Sequence, residues 1–286
     1  MRCRSVLLSS LLAVLAQGWL AAAHFRTSSS STMTQVTTRR EKIHDKANGK
    51  HEKDMKEKME ERIYTNKPLL RGEFHRFGAL LYPFVLGIPL YVRAKPQHRK
   101  ASLCFSAAVE GIMVVSGVLH TTPWRQRHMA LYEAVRKADF CMIFVGIALF
   151  YSSIGKLLFA DATVLFGKVI EPVVWTAAIA GAVAKCVFPN APHWCNALIF
   201  LLQGWAAGPL VPALFQKGKA VVRTAEIVGL LLGAGFVTFG ATAYSVQWPS
   251  AHVWNARIFG PHEMFHAGTI GMFVAFWSTM WLRVAR

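Results

Sequence analysis

Beyond residue 75 the apolar positions run in long unbroken stretches, unlike the alternation of a half-buried strand or the one-sided stripe of a soluble helix. Seven stretches can be drawn, over residues 77–92, 103–120, 138–158, 172–188, 195–215, 225–246 and 259–283. Each approaches the roughly 20 residues with which a helix crosses the hydrocarbon of a bilayer. Backbone in any other open form would leave amides unpaired in lipid, so the pattern predicts an all-α fold, a seven-transmembrane helix bundle. Pro83 and Pro89 would kink the first span, and Gly204, Gly208, Pro209 and Pro212 interrupt the fifth. Gly229, Gly233, Ala234 and Gly235 lend the sixth a small-residue face for close helix contact.

The chain before the spans has a different texture. Residues 1–23 carry Arg2 and Arg4, a short apolar run and then Ala21, Ala22 and Ala23, the layout of a secretory signal peptide. A short membrane anchor and the first half of a two-part organelle leader are the competing readings. Residues 24–67 are Ser/Thr-rich and then dense in both charges, too polar to build a core, and are expected to be disordered or loosely helical. The membrane domain is assigned to residues 68–286. Composition agrees: 53% of the 286 residues are hydrophobic, and the mean hydropathy is +0.33. The net charge of +17 does not point to nucleic acid, because the basic residues sit in the leader and at span ends, where they meet lipid headgroups. Membrane lipids are the expected surroundings. Cys3, Cys104, Cys141, Cys186 and Cys195 are scattered, with no CxxC pair to suggest a disulfide framework or a thiolate metal site. Cys104, Cys141 and Cys186 are expected to pack as small apolar groups.

Ionisable residues within the spans carry the chemistry. His262 and His266 lie four apart in the segment FGPHEMFH, and residues i and i+4 of a helix share a face, so both imidazoles can reach one metal ion. With seven alternating spans, the end of the second, the start of the third and the start of the seventh fall on one side of the bilayer. His120, Asp139, His262 and His266 then sit at similar depth. Three imidazoles with one open position make the ligand set of a catalytic zinc centre. The segment also reads H-E-x-x-H, which in zinc proteases uses the intervening acid, here Glu263, as base. Against that reading, Glu263 sits about 100° around the helix from His262, and no further His or Glu follows to complete such a site. His75, His98, His128, His193 and His252 lie near loops and are read as interfacial. Lys185 is expected to snorkel toward the interface, and Glu110 is left unassigned.

Several segments together resemble hemolysin III proteins. They are LRGEFH at 70–75, SGVLH at 116–120, ADFCMIF beginning at Ala138, VVWTAAIAGAVAKCVFPNAPHW at 173–194, GWAA at 204–207 and FGPHEMFHA at 259–267. That family groups with the progestin and adipoQ receptors, including adiponectin receptors, and more distantly with alkaline ceramidases. The resemblance runs from about Pro68 to the C-terminus. It implies a seven-helix bundle with zinc held by His120, His262 and His266, and it sets Ser116 and Asp139, the acid opening the third helix, beside the metal's water. This chain has Asp139-Phe140 where hemolysin III proteins usually carry Asp-His. The segment at 148–152, Ala-Leu-Phe-Tyr-Ser, replaces their G-T-Y-T-P-like turn.

Two functions follow as expectations. One is a zinc-dependent hydrolase of a lipid amide or ester, with a ceramide-like substrate and with Asp139 and Ser116 as catalytic groups. The other is a receptor, lytic or channel-like membrane protein in which zinc is structural. The signal-like leader and the loop charges would turn the metal side to the lumen, whereas the receptor relatives would turn it to the cytoplasm.

Overall fold

Prolines and glycines decide where the apolar runs become regular helix. The computed structural model describes residues 68–122, 128–159, 163–190, 192–215, 222–249 and 258–286. The expectations for residues 1–23 and 24–67, and that for His252, lie outside the described residues. Helix α1 spans Glu73–Tyr82 and passes through a π turn, Pro83–Gly87, into α2, Ile88–Arg93. Pro83 has no amide to donate, so the helical hydrogen-bond ladder shifts register there without breaking. Helix α3 is Arg99–Thr121, and α4 is Met129–Phe150, which continues through a π turn, Tyr151–Gly155, to the short α5, Lys156–Phe159. A further π turn, Phe166–Ile170, leads into α6, Glu171–Val187. It falls where the missing amide of Pro172 would have bonded. Helix α7, His193–Gly204, gives way to a 3-10 stretch, Gly208–Phe215, and is followed by α8, Thr224–Ser245, and α9, Pro261–Arg283.

The third expected span differs most. Helix α4 begins at Met129, nine residues before the first position expected, so Asp139 lies well inside a helix and does not open one. Residues 129–137 mix apolar and charged side chains, and an i,i+3 pair between Arg136 and Glu133 at 2.8 Å supports this extra length. The apolar runs marked the membrane portion, and this polar extension escaped them. The break after α7 is held by one side chain: the Tyr151 hydroxyl donates to the Gly204 carbonyl at 2.8 Å and accepts from the Ala207 amide at 2.9 Å.

Among the described residues, five helical stretches are long and apolar enough to cross a membrane: Pro96–Thr121, Met129–Phe159, Phe166–Val187, Trp194–Phe215 and Thr224–Ser245. The segments expected as first and seventh spans are also helical, in helices whose first turns are more polar. Helix α1 carries Glu73, His75 and Arg76, and α9 carries His262, Glu263 and His266 in its first two turns. Large apolar side chains such as Leu80, Phe84, Ile179, Leu232 and Val274 face outward, as expected of a surface solvated by lipid tails. The interior is filled by Phe105, Val109, Phe150, Phe166, Phe273 and Met280.

Helices α8 and α9 bring their backbones into close approach. A Cβ on Gly268 would lie 2.7 Å from the Phe236 carbonyl oxygen and 3.1 Å from Gly240 Cα, so glycine is needed for the two backbones to meet. Gly235, expected on that small-residue face, instead has open space around it. At the far end of α9, buried Glu226 faces Arg286 at 3.4 Å and Arg283 at 3.9 Å, anchoring the end of α9 to the start of α8.

Candidate metal centre

Helix α9 starts where it does because of three consecutive signals. Gly260 has extended backbone, Pro261 occupies the first turn, and Glu263 reaches back to accept the Gly260 amide at 2.8 Å. The second Glu263 oxygen pairs with Arg71 Nε, and Glu263 itself is fully buried. Both carboxylate oxygens are therefore engaged in holding the helix start. This start aims His262 and His266 toward the end of α3.

There the three expected ligands meet. One ligand nitrogen from each of His120, His262 and His266 can be chosen so that all lie within 4.8 Å of one another. His120 Nε2 and His262 Nε2 are 3.1 Å apart. A tetrahedral ion with bonds of about 2.0–2.1 Å separates its ligand nitrogens by roughly 3.3–3.4 Å, close to that spacing. Nδ1 of the buried His266 has no hydrogen-bond partner. Among the described residues this is the one group of three side chains close enough to hold a metal ion.

Ser116 lies one helical turn before His120, and its side chain lies beside that of Asp139. Ser116 is buried and Asp139 partly so. Both border a cavity shared with His262 and His266. From that polar end the lining continues through Ile147, Tyr151, Phe159, Val211, Met272 and Phe276. The fourteen residue steps from His262 to Phe276 rise about 21 Å along α9, so the cavity runs deep into the bundle.

The segment before α1 seals the site. Leu70 donates its amide to the Ile258 carbonyl at 3.2 Å, and Arg71 pairs with Glu263. Gly72 adopts a φ of 79°, and a Cβ there would stand 2.5 Å from His120 Cβ. Glycine is thus required twice, for the left-handed backbone and for the close approach. His75, expected at an interface, is 2% exposed. Its ring stacks on His266 with centroids 4.0 Å apart and planes 9° off parallel. Neither of its ring nitrogens has a hydrogen-bond partner, a cost of about 1–3 kcal/mol for each buried group left unpaired.

Arg71, Gly72 and His75 were missed as site residues by reading spans alone, since they precede the apolar run. The available signal was a charged, glycine-containing segment directly before it, at the depth of the triad. Lys185 also departs from expectation. It is buried, donates to Asn196 Oδ1 at 3.0 Å and lies 4.1 Å from the centre of the Phe140 ring, so its amine stays inside the helix bundle. Glu110 is half-buried, with Oε2 lacking a partner. Cys104 and Cys141 are partly buried as expected, whereas Cys186 is exposed. A haemolysin-III related family model matches residues 63–277.

Proposed function

The chain belongs to the haemolysin-III related family, and from that premise we propose that it is a seven-helix membrane protein and a zinc-dependent hydrolase of lipid amide or ester bonds. The observation that carries the reading is the convergence of His120, His262 and His266 beside Ser116 and Asp139, at the polar end of a deep, largely apolar cavity. The donor set fits the ion: three imidazoles within ligand reach of one another, one pair close to tetrahedral spacing, and one ring with a buried nitrogen that lacks any other partner.

When bound, zinc supplies Lewis acidity and lowers the pKa of a water to about 7. The protein's own groups carry the remaining work. The Asp139 carboxylate takes a proton from the attacking water at one Oδ and returns it to the departing amine or alcohol. Ser116 donates its hydroxyl to that carboxylate and fixes its orientation. The apolar wall from Ile147 to Phe276 receives the acyl chain and excludes bulk water. Glu263 has no part in proton transfer, since both its oxygens serve the helix start.

The test is direct. In purified full-length protein, Asp139→Asn is expected to abolish turnover of a ceramide-like substrate while zinc content and melting temperature stay near wild type. Parallel loss of zinc and stability would assign the site a structural role in a receptor or lytic protein; retained turnover would remove Asp139 from the chemistry. Elemental analysis should find about one zinc per wild-type chain and almost none in His262→Ala. A wild-type protein without zinc would end the zinc reading.

A further inference from the structure

The proposed hydrolysis leaves one buried histidine unused. His75 is 2% exposed, borders the same cavity as Ser116, Asp139, His262 and His266, and has no hydrogen-bond partner at either ring nitrogen. Packing does not account for it, because a phenylalanine would fill the space and stack on His266 without burying unpaired polar atoms. Membership of the metal's ligand set does not account for it either. The mutually close ligand nitrogens belong to His120, His262 and His266, and the parallel stack sets His75 beside His266 instead of converging with it on one ion.

We infer that His75 is a further binding residue of this site, its ring nitrogens hydrogen-bonding the polar head of the lipid that occupies the cavity. Neutral imidazole offers one donor and one acceptor. A head group that both donates and accepts, such as an amide or a hydroxyl, satisfies both, whereas a free carboxylate only accepts. His75 thereby favours uncleaved amide or hydroxyl-bearing lipids over the fatty acid released from them. The inference rests on the lipid-hydrolase reading for the identity of the occupant, and binding tests it separately from turnover.

The probe is an N-acylsphingosine bearing a nitrobenzoxadiazole label, titrated by fluorescence onto the purified full-length protein in detergent micelles, with the similarly labelled free fatty acid as comparison. Zinc content and melting temperature are measured on the same samples. His75→Phe keeps the ring and the stack; it should weaken binding of the labelled amide about tenfold more than binding of the labelled fatty acid, the effect of the one extra hydrogen bond, and leave zinc content unchanged and the melting temperature no lower than wild type. His75→Gln, able to donate and accept, should hold affinity to within about threefold. Should the phenylalanine variant not yield monodisperse protein, His75→Met gives the same comparison. Unchanged amide affinity in the apolar variant would overturn the inference, as would zinc lost in step with affinity, since His75 would then act through the metal ligands. Wild type that binds the amide without cleaving it would remove the hydrolase reading alone. Wild type that fails to bind it would overturn both.

Discussion

Glu263 stands between two histidines of the triad in sequence, yet its carboxylate serves Gly260 and Arg71. Removing it leaves the first amide of α9 without its acceptor and Arg71 without its counter-charge. Glu263→Ala is expected to destabilise the protein by about 3–5 kcal/mol, as breaking a buried ion pair from one side does. Glu263→Gln keeps an acceptor for the Gly260 amide and should cost less. Thermal melts in detergent would read both. A protease-type base would behave oppositely, losing turnover at unchanged stability. At this scale the sequence shows the capping acid, three residues after Gly260 and just inside Pro261. It does not show Arg71 as the partner, because the two residues are 192 positions apart and only folding brings them together.

The elements show how far the apolar pattern could be read. Helices α3, α8 and α9 begin and end close to the expected spans, because an apolar run bounded by charge or proline is a strong local signal. The interruption of the fifth span was visible in Gly204, Gly208, Pro209 and Pro212, but the residue that stabilises it was not. Tyr151, from another helix, satisfies one carbonyl and one amide freed by the break. Tyr151→Phe should therefore lower stability by about 1–3 kcal/mol, the cost of leaving buried backbone groups unpaired. The measurement is the melting temperature of the purified protein, and no change would mean that water or another side chain takes over both bonds. Helix α4 began earlier than expected because its first turns are polar, and a hydropathy reading passes over a helix that extends beyond the lipid.

For the whole molecule, the triad joins α3 to α9, but it is not their only link. The pairing of Arg71 with Glu263 and the packing of Gly72 on His120 hold the same elements together. Stripping the metal with a chelator is thus expected to abolish turnover while leaving the helical circular-dichroism spectrum intact. The melting temperature should fall by an amount that grows with the concentration of zinc in the reference sample, since a ligand bound only to the folded state stabilises it by mass action. Re-addition of zinc should restore both. Collapse of the helical signal on chelation would mean that the ion is what holds α3 and α9 together.

The sequence alone determined the all-helical architecture, the membrane setting, the i,i+4 histidine pair and, through alternation of the spans, the common depth of His120, Asp139 and the pair. These follow from local chemistry, namely apolar run length, helix periodicity and the direction reversal of successive helices. The tertiary structure decided which groups at that depth touch. It joined His120 to His262, set Ser116 and Asp139 on one cavity wall, withdrew Glu263 into the helix cap and carried His75 from an expected interface into the interior against His266. Depth is a coordinate along the bundle axis, which a one-dimensional pattern encodes. Contact also requires the rotation of each helix about its own axis and the distance between axes, and those are set by close approaches such as Gly72 on His120 and Gly240 on Gly268.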